Sequence, residues 1–190
     1  MSANIAVIYA GDLTEVAQAF GQAAGHLASD VRLRRLVGTE TPGAVGPHKQ
    51  PTLRDLEWAN GIAFGTPVGD SGPAPELMDF IKSTDPHWSR SRLGAMYDKV
   101  VTVFTDEPER IAPDSVLHPI YDALYRWGAV IVGPRGFELE VEAWPAHDVV
   151  EGASPLSDSR LRSTRYRAYR LARLASVLAD ERHRKERLMM

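Results

Sequence analysis

The 190-residue chain contains no cysteine. Disulfides, thiolate catalysis and cysteine-ligated metal centres, iron–sulfur and zinc-ribbon sites among them, are therefore excluded. Nor is there an apolar run near the roughly 20 residues needed to span a bilayer. The opening Met1-Ser2-Ala3-Asn4 has neither the basic start nor the small-residue cleavage site of a secretory signal. These gaps predict a soluble, cytoplasmic protein with no membrane contact. Also missing are a Walker phosphate loop, a GxGxxG turn after a strand, an HExxH pair and a GxSxG elbow. His26, His48, His87, His118, His147 and His183 are scattered without metal-ligand spacing, so no metal site is expected. No catalytic residue can be assigned from the motifs.

With 44% hydrophobic and 25% charged residues, the chain has the material for one well-buried core, and a single domain over residues 1–190 is expected. Charge is unevenly spread. From Asp158 onward ten Lys or Arg stand against four Asp or Glu, a net of +6 that leaves −9 on the first 157 residues of a chain totalling −3. Acidic residues interrupt the Arg series and no DNA-binding module precedes it, so nucleic acid is not expected as a partner. A solvated helix face that helps an acidic body form a homo-oligomer fits better.

Apolar periodicity sets the elements. Asn4 to Tyr9 (NIAVIY) is a short β-branched run suited to a strand covered on both faces. After Ala10-Gly11, the stripe Leu13, Val16, Ala17, Phe20, Ala24, Leu27 predicts a helix, with Asp12 and Glu15 spaced as a capping box. Val31 to Leu36, alternating with Arg, reads as an edge strand, and Gly38 to Pro51 as a loop. Thr52 to Leu56 makes a helical turn. Ile62 to Phe64 is a strand, followed by a Gly/Pro loop and a helix carrying Leu77, Met78, Phe80 and Ile81. Val100 to Phe104, Ser115 to Trp127 and Ala129 to Val132 supply strand, helix and strand. Gly133 to Ser157 is an irregular excursion. A final helix from Asp158 to about Asp180 precedes a frayed end, His183 to Met190. This alternation implies a doubly wound parallel sheet, and a ligand then belongs in the crevice at the carboxyl ends of its strands.

The strings FGTP, LMDFI, Trp88, DKVVTVFT and YDALYRWGAVIV, together with the ending TRYRAYRLARLASVL, resemble the flavodoxin-like NAD(P)H:quinone oxidoreductases of the WrbA type. The resemblance implies a flavodoxin-like α/β fold, a five-stranded parallel sheet in order 2-1-3-4-5 with helices on both faces. It also implies FMN at the strand-one/strand-three crevice, two-electron reduction of quinones by NAD(P)H, and a ring site shared between subunits of a tetramer; for this chain a homo-oligomer, dimer or tetramer, is expected. The corresponding cofactor-binding positions fall on three loops. They are Gly11, Asp12 and Thr14 after strand one; Thr66, Pro67, Val68, Gly69, Asp70, Ser71 and Gly72 after strand three; Thr105 and Asp106 after strand four; and Trp88, which matches a family tryptophan lying over the flavin.

Those loops depart from the family pattern in one electrostatic direction. Asp12 as a helix cap would occupy the N–H groups a phosphate needs. At about 4 Å, repulsion between unit charges costs roughly 1 kcal/mol in water and about 4 kcal/mol at an effective dielectric of 20. Asp70 replaces family groups that grip the ring, and Asp106-Glu107 replaces a glycine-rich turn. Two alternatives to FMN chemistry follow. The fold has lost FMN and uses an acidic crevice (Asp12, Asp70, Asp106) for another small molecule, or it serves as a non-catalytic assembly or regulatory subunit. For Trp88, a core or interface aromatic is the competing reading.

Overall fold

The computed structural model describes residues 3–38, 48–67, 72–89, 96–105, 114–133 and 158–188. Five strands, β1 (Asn4–Tyr9), β2 (Asp30–Arg35), β3 (Gly61–Gly65), β4 (Val100–Phe104) and β5 (Val130–Val132), pair in parallel in the order β2-β1-β3-β4-β5. The helices are α1 (Thr14–Gly25), α2 (Leu53–Trp58), α3 (Pro75–Ser89), α4 (Asp114–Arg126) and α5 (Asp158–Leu188). The flavodoxin-like sheet anticipated from the sequence is the one found.

β1, β3 and β4 are continuous apolar runs because both of their faces are covered. On one face Ile8, Ile62, Phe64, Val101 and Val103 pack with Leu77, Ile81, Ile120 and Leu124 of α3 and α4. On the other Ile5, Val7, Tyr9 and Phe104 pack with Val16 and Phe20 of α1 and with Ala168, Leu171, Ala172 and Ala175 of α5. Phe20 stacks on Phe104 with ring centroids 5.2 Å apart. Full burial of such a side chain contributes roughly 1.5–3 kcal/mol.

Two boundaries differ from the sequence reading. α1 starts at Thr14, with Leu13 at the N-cap and no side-chain cap hydrogen bond, so Asp12 does not close the helix. Leu13 holds that place because its side chain is buried and its carbonyl accepts the first helical bond, from the Ala17 N–H at 2.8 Å, while Asp12 is exposed. α5 continues past Asp180 to Leu188. Its last turns are rich in residues of good helix propensity, and Glu181 pairs with Arg184 at 2.9 Å on one face. Among the described residues no helix is long and apolar enough to cross a membrane.

The amino end of the sheet is closed by reciprocal bonds. The Asn4 N–H donates to Asn60 Oδ1 at 2.9 Å and the Asn60 N–H to the Asn4 carbonyl at 2.8 Å. Lys99 Nζ donates to the carbonyls of Glu57 and Ala59, tying the turn between α2 and β3 to the start of β4. Burial pushes the Lys99 ammonium down to about 8, with Arg182 adding to the shift and Glu57 opposing it.

Candidate functional site

The carboxyl ends of β1, β3 and β4 form one edge. The Ala10 N–H donates to the Gly65 carbonyl at 3.0 Å, and the Thr66 N–H to the Phe104 carbonyl at 3.1 Å, so three loops leave side by side. Gly11 takes φ +64°, and a Cβ there would meet Pro67 Cγ at 3.0 Å; the first loop can lie against the second only as glycine. At Gly65 a Cβ would fall 2.4 Å from Phe104 Cζ and 2.8 Å from Tyr9 Cβ.

Thr66 is fully buried and its hydroxyl is engaged: it accepts from the Ala74 N–H at 2.8 Å and donates to the Pro67 carbonyl at 3.1 Å. Its side chain thus pins both feet of the second loop, one beside β3 and the other at the start of α3. Gly72, at the far foot, has φ +112°. Thr105 is buried directly after β4. Val68, Gly69, Asp70, Ser71 and Asp106 lie outside the described residues.

Register places the rest. Tyr9 is paired with Arg35 and Ile8 with Arg34, so Tyr9 and Arg35 share the α1 face while Arg34 points to the opposite one. Tyr9 is fully buried, with its hydroxyl 2.8 Å from His48 Nδ1 and 3.3 Å from Thr14 Oγ1. Burial, then the positive charges of Arg34 and Arg35, pushes the His48 pKa down. A neutral imidazole leaves Nδ1 free to accept from the Tyr9 O–H, which in turn lets the Thr14 hydroxyl donate to Tyr9. The Arg35 N–H donates to the Lys49 carbonyl at 3.0 Å, holding the His48 segment beside β2, but the buried Arg35 Nε has no hydrogen-bond partner.

On the other face Arg34 Nη2 lies 2.8 Å from Asp55 Oδ1. Asp55 Oδ2 also accepts from the Thr52 N–H at 3.0 Å and the Thr52 hydroxyl at 2.9 Å. Burial acts to raise the Asp55 carboxyl, but these hydrogen bonds outweigh it and hold its pKa below the usual value. Arg34 is therefore committed to a carboxylate, whereas among the described residues Arg35 has none.

Trp88 is elsewhere. α3 runs back from the carboxyl edge, and Trp88, on its last turn, is 2% exposed with its ring 6.0 Å from that of Trp127. Trp127 lies just before β5, so the pair packs in the core near the amino ends of the strands. Within one chain, Gly11, Thr14, Thr66, Pro67, Gly72 and Thr105 gather at the edge, Asp12 is exposed beside it, and Trp88 is not brought there. Tyr9, Arg35 and His48 were missed by the sequence reading. Their local signals are weak: a tyrosine that closes an apolar run, an arginine on an edge strand and a histidine in a Gly/Pro-rich loop.

These positions suit a phosphate-bearing ligand. The first N–H groups of α1 have no side-chain cap, Thr14 offers a hydroxyl next to them, and Arg35 keeps a buried donor. Among the described residues no group of three or more His, Cys, Asp or Glu could hold a metal ion.

No protein-family profile matches the chain. An NAD(P)H dehydrogenase (quinone) of Geotalea uraniireducens is 25% identical over 198 aligned positions, covering 89% of this chain and 94% of the relative. One of the same name from Geobacter sulfurreducens is 26% identical, covering 83% of each. A flavodoxin, WrbA-like protein from Agrobacterium tumefaciens superposes with a TM-score of 0.60 at 19% identity, covering 92% of this chain and 98% of its own. The resemblance read from the sequence and the relatives found by comparison agree.

Proposed function

We propose that this chain, a flavodoxin-like oxidoreductase of the WrbA type, binds FMN at the carboxyl edge and reduces quinone-type acceptors with NAD(P)H. The observation that carries the reading is the cluster at the end of β1: an uncapped α1 N-terminus, the Thr14 hydroxyl and a buried Arg35 Nε with no partner. Burying a donor without an acceptor is costly, so such a group calls for a ligand oxyanion. When bound, FMN supplies two-electron chemistry, accepting a hydride from NAD(P)H and delivering reducing equivalents to the quinone.

The chain's own residues hold and orient. The α1 N–H groups, Thr14 and Arg35 receive the phosphate. Neutral His48, through Tyr9, fixes the Thr14 hydroxyl. Gly11 against Pro67 and the Thr66 bonds to Ala74 and Pro67 set the spacing of the two loops that border the ring. Asp12, being exposed, places its charge in water, where its repulsion of a phosphate is screened. The acidic-crevice alternative has Asp12 alone among the described residues, and the charges acting on His48 are those of two arginines. A cytoplasmic homo-oligomer completes the reading.

Titrating FMN against the protein and following flavin fluorescence tests it. Quenching with a micromolar midpoint is expected, and Arg35→Met should weaken binding about tenfold. Fluorescence unchanged at tens of micromolar FMN would sink the proposal.

A further inference from the structure

The inward stripe of α5 changes character along its length. Ala168, Leu171, Ala172, Ala175 and Ala179 are buried and apolar, as a helix on a sheet requires. One turn earlier the same face carries Ser163, Thr164 and Arg167, all buried, with Arg160 two turns from Arg167. Arg167 is 9% exposed, and among the described residues its guanidinium makes one hydrogen bond, a donation from Nη1 to the Val103 carbonyl at 3.4 Å. Its buried Nε has no partner. Tyr121 of α4 faces the guanidinium, and burial opposes its charged form.

The backbone explains why that carbonyl was available. The Val130 N–H donates to the Lys99 carbonyl, so alternate β4 carbonyls, those of Lys99, Val101 and Val103, face β5. β5 ends at Val132, opposite Thr102. The next donor in that series would be residue 134, a proline with no N–H. One guanidinium donor reaches Val103, and the buried Nε beside it is left without an acceptor, where an unmatched donor of a charged group is costly.

We propose that the carboxyl end of β4, beside the last residue of β5, is an oxyanion site in which Arg167 receives a carboxylate or phosphoryl group of a small-molecule substrate or effector. The site belongs to β4, β5 and α5, separate from the β1 cluster, and does not rest on the FMN reading. A guanidinium buried under a helix takes a planar or tetrahedral oxyanion through two parallel N–H bonds, which a lysine cannot reproduce.

The test is the thermal unfolding midpoint of the purified full chain, titrated with inorganic phosphate or acetate at constant ionic strength, with chloride as the balancing salt. Phosphate, acetate or both should raise the wild-type midpoint by about 3–6 °C at concentrations well above the dissociation constant. A response to phosphate alone points to a phosphoryl ligand, and one to acetate to a carboxylate. The Arg167 variants are read in an Arg35→Met background, which removes phosphate binding at the β1 cluster. Arg35→Met alone should keep the acetate response and part of the phosphate response. Adding Arg167→Met should abolish what remains while moving the anion-free midpoint by no more than about 2 °C, because among the described residues the Arg167 guanidinium makes one weak bond. Adding Arg167→Lys instead should retain less than half of that response. The proposal is overturned if neither anion shifts the midpoint of Arg35→Met, if that shift survives the addition of Arg167→Met, or if Arg167→Met fails to fold.

Discussion

At the amino end of the sheet, Asn4 and Asn60 exchange backbone and side-chain bonds, Lys99 reaches two carbonyls, and Trp127 Nε1 donates to Asp85 at 2.8 Å. At the carboxyl end, buried Nε atoms of Arg35 and Arg167 have no acceptor among the described residues, and the Thr14 hydroxyl is held beside an uncapped helix start. Trp88 Nε1 is the exception at the amino end, a buried donor without a partner among apolar neighbours. Among the described residues the amino end thus holds an unmatched indole, whereas the carboxyl end holds guanidinium groups, those of Arg35 and Arg167, whose charge makes them recognition groups for anions. The same five strands supply both ends, and the difference lies in which residues the loops and α5 bring to them.

Gly65→Ala should break the carboxyl end most severely. Its Cβ would fall 2.4 Å from Phe104, whose ring is already stacked on Phe20, and 2.8 Å from Tyr9 Cβ, so a loss of about 3 kcal/mol in chemical denaturation is expected. Gly61→Ala, the matched change at the amino end, meets the mobile tip of Ile5 first, at 2.7 Å, and should cost about half as much. Equal losses would mean that the carboxyl end is no more tightly set than the amino end.

Lys99 sharpens the comparison through pH. Its folded pKa lies near 8, below the ordinary 10.5, so the folded state carries the full cost of the buried ammonium below about pH 8 and is relieved of it as pH rises toward 10.5. Measured against Lys99→Met, wild-type stability should therefore rise by about 2 kcal/mol between roughly pH 7.5 and pH 10. Parallel pH profiles for the two proteins would contradict the assignment.

Trp88→Phe carries the smallest expected effect. It trims a core side chain beside Trp127 and should cost about 1 kcal/mol while leaving the FMN titration unchanged. A loss of FMN affinity would show instead that Trp88 reaches the ring site, through a neighbouring subunit as the family resemblance implies.

Much of the fold was legible in the sequence because its signals are local. NIAVIY and VVTVF are buried strands by their unbroken β-branched runs, and the stripe from Leu13 to Ala24 is a helix by its spacing. Local signals also misplaced the start of α1: Asp12 and Glu15 have the spacing of a capping box, but burial of Leu13 puts Leu13 at the cap position. At the candidate site, Gly11, Thr66 and Pro67 were legible as loop positions after strands. Their work was not, since the Thr66 hydroxyl turns inward to Ala74.

The sequence by itself determined the order of strands and helices, the two buried faces and the edge where a ligand belongs, all consequences of periodicity over a few residues. Only the tertiary structure decided which polar groups meet there. Tyr9 finds His48 across 39 positions, and Arg167 finds Val103 across 64. Contacts at such separations depend on strand register, on where β5 stops and on the path of α5, none of which leaves a mark in the residues nearby.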